Sequence, residues 1–152
     1  MKNHAILVAE DDENDFFLLE RAIKKASLSM PVRRVKNGEE AVYYISGIST
    51  YSDRTAYPVP LLLLLDLKMP VKHGFDVLRW RKENKQAASL PVIIFSSSNR
   101  PDDVRLAYEL GANAFLTKPA SMEAMVESIQ AIEAFWIRKN CFDFPVPLTP
   151  LE

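Results

Sequence analysis

A single cysteine, Cys141, leaves the chain without a partner for an intrachain disulfide and suits a reducing, cytoplasmic setting. Histidine is nearly as scarce. His4 and His73 stand alone, with no second ligand at metal-binding spacing, so they are read as solvated side chains. Neither sign of charge is in excess: 19 Lys and Arg against 20 Asp and Glu give a net charge of −1. That balance provides no electrostatic footprint for nucleic acid or an anionic membrane. No apolar run approaches the roughly 20 residues a bilayer demands. The opening Met1-Lys2-Asn3-His4 runs straight into a strand pattern, without the apolar core of a signal peptide. No internal repeat is present. What remains is a chain of 152 residues, 48% hydrophobic, long enough for one domain with a sizeable core.

The most informative stretch is residues 61–65, all leucine, followed by Asp66-Leu67-Lys68-Met69-Pro70-Val71-Lys72-His73-Gly74. A short continuous apolar run fits a strand covered on both faces, as in a parallel sheet. Such a strand delivers the next residue to the carboxyl edge of the sheet, where open α/β folds build their sites. Asp66 is that residue, and the Pro and Gly beyond it turn the chain back. Residues 5–9 form a second apolar run, ending at Glu10-Asp11-Asp12. From Glu13 the period changes, with Phe16, Leu19, Ile23 and Ala26 at helical spacing. Residues 32–35 read as an edge strand containing Arg33 and Arg34. A helix follows the Asn37-Gly38 turn, and residues 48–60 read as a long loop.

A helix over about 75–84, a strand over 92–95 ending in Ser96-Ser97-Ser98, and a helix opening at Pro101 come next. The strand 114–117 leads to Lys118-Pro119. Ser121 caps a last helix whose stripe is Met125, Ile129, Ile132 and Trp136. Prolines at 145, 147 and 150 imply an extended tail, so the chain divides into a domain over 1–140 and a tail over 141–152. Five strands alternating with helices imply an α/β fold: a doubly wound parallel sheet in three layers, α/β/α.

Side by side at one edge of that sheet, the strand ends bring together Glu10, Asp11, Asp66, Ser96 and Lys118. Three carboxylates repel one another, and oxygen donors with open positions suit Mg²⁺. Aspartate can accept a phosphoryl group, stabilised by positioned positive charge. Taken singly, the acids could be a solvated helix start, Lys118 a surface lysine and the serines plain loop. Their coincidence at consecutive strand ends favours a site.

The acidic pair after the first strand, the Asp-x-x-Met-Pro-x-x-x-Gly segment at 66–74, the hydroxyl after the fourth strand and Lys118-Pro119 resemble, in that order, a response-regulator receiver domain. The loop 48–60, Ser96-Ser97-Ser98, Phe135-Trp136 and the proline-bearing tail resemble the single-domain regulators that partner phytochrome-type kinases. The resemblance implies a flavodoxin-like sheet in the order 2-1-3-4-5. It also implies a non-enzymatic phosphorelay protein, phosphorylated on Asp66 by a histidine kinase and acting on a downstream protein the sequence does not identify. In that likeness Asp11 and Asp66 ligate Mg²⁺, Glu10 assists through water, and Lys68 offers its backbone carbonyl. Ser96 and Lys118 contact the phosphoryl group, Phe115 is the switch aromatic, without the hydroxyl of the family's frequent Tyr, and Pro119 follows a cis bond.

Other functions fit less well. An aspartate-nucleophile phosphatase would resemble Asp-x-Asp, whereas Asp66-Leu67-Lys68 has no acid to donate a proton. A flavin binder needs a phosphate-cradling loop after the first strand, and Glu10-Asp11-Asp12 would repel the phosphate. A phosphate-independent adaptor of receiver fold is the remaining alternative. Val104 and Tyr108 share a helix face, which the resemblance sets beside Phe115. Adjacent Phe135 and Trp136 cannot point the same way. An apolar patch results, to be covered by the tail segment 142–147 or, the favoured expectation, by a second copy in a homodimer.

Overall fold

The computed structural model describes residues 3–141. The tail beyond them, and with it the expectation of an extended segment that could cover a neighbouring patch, lies outside the described residues. Five parallel strands, β1 (His4–Ala9), β2 (Val32–Val35), β3 (Val59–Leu65), β4 (Val92–Ser96) and β5 (Ala114–Thr117), pair in the order β2-β1-β3-β4-β5. Between and after them run α1 (Glu13–Ala26), α2 (Gly38–Ser46), α3 (Gly74–Glu83), α4 (Pro101–Glu109) and α5 (Met122–Ile132). This is the doubly wound flavodoxin-like sheet expected from the sequence. No described helix is long and apolar enough to cross a membrane.

Period-two alternation along the central strands feeds two cores. Leu63 and Leu65 join Leu7 and Ala9 against α2, α3 and α4, with Val77 and Leu78 among their neighbours. Leu62 and Leu64 join Ile6 and Val8 against α1 and α5, where Leu19, Met125 and Ile129 close the layer. Both faces of β3 are therefore dry, which explains its unbroken leucine run.

β3 starts two residues earlier than the leucines suggest, at Val59, so the strand runs through Pro60. Pro60 has no N–H for the ladder, and the β1–β3 pairing shifts register there: Ala5 faces Pro60 while Ile6 faces Leu62, leaving Leu61 as the extra residue of a bulge. The preceding loop is correspondingly shorter and carries a 3₁₀ turn, Ser49–Ser52. Arg54 organises it by donating to the carbonyls of Tyr44 (2.8 Å) and Ile45 (2.9 Å) at the end of α2. Tyr44, Tyr51 and Tyr57 pack ring against ring around it.

A second departure concerns the last helix. After Ile132 the winding widens into a π-helical segment, Glu133–Lys139, whose end is marked by the Asn140 N–H donating to Phe135 O. The wider turn advances the apolar stripe, so Ile137 is buried, Trp136 is half-buried, and Phe135 is 59% exposed. The third departure is at Lys118-Pro119. No cis peptide bond occurs among the described residues, so the expected cis bond is corrected to trans. The Lys118 side chain reaches Asp66 regardless, because the parallel sheet already sets the two strand ends near one another.

The turn after β3 closes on glycines. Gly74 N–H donates to Leu67 O at 3.0 Å, and a Cβ at Gly74 would strike the Asp66 carbonyl oxygen and lie 2.8 Å from the Leu67 Cα. Both obstacles are backbone and neither can swing aside. Gly74→Ala is therefore expected to destabilise the fold by about 1–3 kcal/mol, as overpacking does. Urea unfolding midpoints of the two proteins check this, and an unchanged midpoint would refute it.

Candidate functional site

Asp66 follows β3 directly and is buried, its N–H donating to Ala9 O at 3.1 Å. Glu10 follows β1 and is also buried, with its N–H on Val35 O at 3.0 Å. Asp11 is the more open third acid. One carboxylate oxygen from each of Glu10, Asp11 and Asp66 lies within 4.8 Å of the others. Three hard oxygen donors at that spacing fit a divalent cation such as Mg²⁺.

Lys118, just past β5, extends its ammonium into this cluster. Nζ donates to Asp66 Oδ2 at 3.0 Å, to Asp15 Oδ2 at 2.8 Å and to Glu10 Oε1. All three N–H donors of the ammonium are thus committed to carboxylates. The cluster rests on apolar walls from Val8, Leu19, Leu64, Phe95 and Met125, which lower the local dielectric. Burial works against the Lys118 charge, but its bonds to Asp15 and Glu10 and the charge of Asp66 outweigh that and raise its pKa. Glu10 shows the opposite face of the same crowding. Burial first, then its closeness to Asp66, pushes its pKa up to about 7 in spite of Lys118.

The other expected residues are placed less directly. Ser96 is buried at the end of β4, but its Oγ accepts from the Ser98 N–H at 3.2 Å. Its carbonyl accepts from the Lys118 N–H at 2.8 Å, which ties the ends of β4 and β5 together. The Lys68 side chain is exposed, and its N–H lies 3.4 Å from Asp66 Oδ1. The loop carrying it is pinned by Gly38 N–H donating to Lys72 O at 3.1 Å. Phe115 is half-buried against the core beneath α2, α3 and α4.

Two residues of the site were not singled out from the sequence. Asp15 lies in the first turn of α1, its N–H donating to the cap residue Asp12 at 2.8 Å, where an acid is already explained by the helix dipole. Arg34, read only as a polar residue of an edge strand, donates Nε to the Glu10 carbonyl at 2.9 Å. It also pairs with Glu13 at 3.0 Å and stacks over Phe16 at 4.4 Å. Cross-strand reach of this kind leaves no mark in local spacing.

Residues 6–130 match the model of the response regulator receiver domain. The chain belongs to that family. Among its relatives is the response regulator Rcp1 of Synechocystis, 32% identical over 87% of this chain and 88% of Rcp1. The Mn²⁺-bound form of Rcp1 superposes with a TM-score of 0.79 at 30% identity, covering 91% of this chain and 97% of that one. The phosphorylated cyanobacterial phytochrome response regulator RcpA gives 0.82 at 29% identity, with coverages of 91% and 97%. RPA3017, a response regulator in red light signalling of R. palustris, gives 0.86 at 36% identity over 91% of this receiver and 96% of that chain. This receiver is therefore akin to phytochrome-associated response regulators.

The raised Glu10 pKa makes the stability of the metal-free receiver depend on pH. Between the ordinary value of 4.5 and about 7, the folded chain holds a proton that the unfolded chain has released. Stability from this group is therefore full below 4.5, falls as pH rises through about 7, and is flat above. In the presence of a chelator, urea midpoints at about pH 5 and about pH 8 should show a larger loss for wild type than for Glu10→Gln. Equal losses would contradict the assignment.

Proposed function

We propose that this receiver is a non-enzymatic phosphoacceptor of a two-component relay, with Asp66 receiving a phosphoryl group from a histidine kinase of the phytochrome type. The supporting observation is the Lys118 ammonium on Asp66 Oδ2, beside two further carboxylates that could share a divalent cation with it. A bound Mg²⁺ would supply positive charge to offset both the acids and the incoming phosphoryl oxygens. Asp66, Asp11, Glu10 and the Lys68 carbonyl are the groups that would hold it.

An Asp66 carboxylate oxygen forms the new bond to phosphorus, and the donor's bond to phosphorus, P–N on the kinase histidine or P–O in acetyl phosphate, breaks with its electron pair leaving on the donor. Lys118 stays protonated throughout and pairs with developing charge on the phosphoryl oxygens. Ser96 gives up its present bond from Ser98 and turns its hydroxyl toward the phosphoryl group, and Phe115 follows on the neighbouring strand. Output then passes through the face of α4, β5 and α5 to a downstream protein. The domain would extend to about residue 140, and its partners would be cytoplasmic. Intact mass after incubation with acetyl phosphate and Mg²⁺ tests the central step. Wild type should gain one phosphoryl group, and both chelation and Asp66→Asn should abolish the gain. Full modification of the Asn variant would refute the assignment.

The same face supports a homodimer. Tyr108 on α4 is 50% exposed and Phe135 59% exposed, while Val104 and Phe115 are half-buried nearby in sequence and strand order. Exposed aromatics beside half-buried apolar residues favour coverage by a second copy about a two-fold axis. Light scattering should report a dimer for wild type and a monomer for Tyr108→Glu. A wild type that stays monomeric at high micromolar concentration, phosphorylated or not, would leave coverage by the tail as the reading.

A further inference from the structure

Three carboxylates hold the Lys118 ammonium, and they are not equivalent. Glu10 and Asp66 follow strands β1 and β3, are buried, and belong to the acid cluster that fits a cation. Asp15 stands on helix α1, its side chain 41% exposed, and is no member of that cluster. Its own position is fixed, because its N–H closes the N-cap of α1 on Asp12. The other two contacts would lapse or weaken if the acids turned to a cation and Asp66 became an acyl phosphate. The contact to Asp15 has no competing role.

We propose that Asp15 is a positioning residue: it anchors the Lys118 ammonium over Asp66 through the whole phosphorylation cycle. The inference rests on the reading of Asp66 as phosphoacceptor. A lysine is a point charge on a flexible four-carbon stem, so it is effective only where something holds it. With Asp15 present, one N–H stays bound on the α1 side and the ammonium remains within reach of Asp66. Another donor is then free for a phosphoryl oxygen as the Asp66 contact gives way. In transfer from acetyl phosphate, Asp66 oxygen bonds to phosphorus and acetate departs with the electrons of the broken P–O bond. Neither Asp15 nor Lys118 gains or loses a proton.

Phosphorylation rates with acetyl phosphate are compared for wild type, Asp15→Asn, Asp15→Ala, Lys118→Ala and the double variant Asp15→Ala/Lys118→Ala. Misplacing an electrostatic group should slow Asp15→Ala about tenfold, with Asp15→Asn between it and wild type. Calorimetric Mg²⁺ affinity should stay within about twofold of wild type, since the cluster is intact. In the Lys118→Ala background, removing Asp15 should change the rate by less than about twofold, which a general loss of helix stability would not reproduce. A separate readout is the ¹⁵N ammonium resonance of Lys118 in the Mg²⁺-loaded protein, observable while its protons are held and lost in Asp15→Ala, where the other two carboxylates are turned to the cation. Wild-type rates in both Asp15 variants, or an equal slowing in the Lys118→Ala background, overturn the proposal. If wild type takes up no phosphoryl group, the phosphoacceptor reading fails, and the ammonium resonance alone decides whether Asp15 holds the lysine.

Discussion

The carboxylates gathered at the edge of this sheet depend on the balance between one part-buried ammonium and the acids it contacts. Parallel strands all finish on the same side, so a carboxylate after β1 and another after β3 are forced together by topology. Removed from water, such like charges would be untenable without compensation. Lys118 supplies part of it by committing all three of its donors to Glu10, Asp15 and Asp66. Burial first, and then the closeness of Asp66, still raise the pKa of Glu10 in spite of that ammonium. The same crowding of acids gives the cluster its capacity for a divalent cation, so the excess of acid is also the basis of the site's chemistry.

Much of this was legible in the sequence because strand ends are. Residues 61–65 fit a short strand buried on both faces, which puts Asp66 at the carboxyl edge of the sheet, while the strand order came from the family resemblance. The groups at the ends of the other strands then converge by topology alone. Asp15 and Arg34 were not legible for a related reason. Each has a sufficient local explanation, a first-turn acid and an edge-strand cation, and each acts across elements. Asp15 meets a residue more than one hundred positions away, and Arg34 meets the carbonyl of Glu10 on the adjacent strand. Spacing rules describe one element at a time and carry no information about such pairs.

The backbone departures have equally local causes. Pro60 reads as a strand breaker, yet it lies within β3 because a one-residue bulge absorbs its missing N–H. Trp136 fits the apolar stripe of α5 only while the helix keeps its 3.6-residue period. Once the winding widens after Ile132, the following buried position passes to Ile137. Glu133, at that change of winding, is buried and accepts from Ser29 Oγ at 3.3 Å, with Arg138 at 3.4 Å. A carboxylate facing inward there ties the widened turn to the loop between α1 and β2. The exposed aromatic Phe135 is a consequence of the same shift in phase.

The proposed switch also has a physical route through these contacts. β5 is only four residues long, and it carries Phe115 within it and Lys118 directly after it. Its end is bonded to β4 through the Lys118 N–H and the Ser96 carbonyl. Ser96 and Lys118 would each respond to a phosphoryl group on Asp66, so both ends of that bond are drawn by the same event. A strand this short has few ladder bonds to resist displacement, and Phe115 is packed on the side of α4 rather than of α1. An anchor on α1 would then matter twice. By restraining the Lys118 ammonium from the opposite layer, Asp15 limits how far the lysine itself can travel, so more of the adjustment falls on Ser96 and the backbone that leads to Phe115.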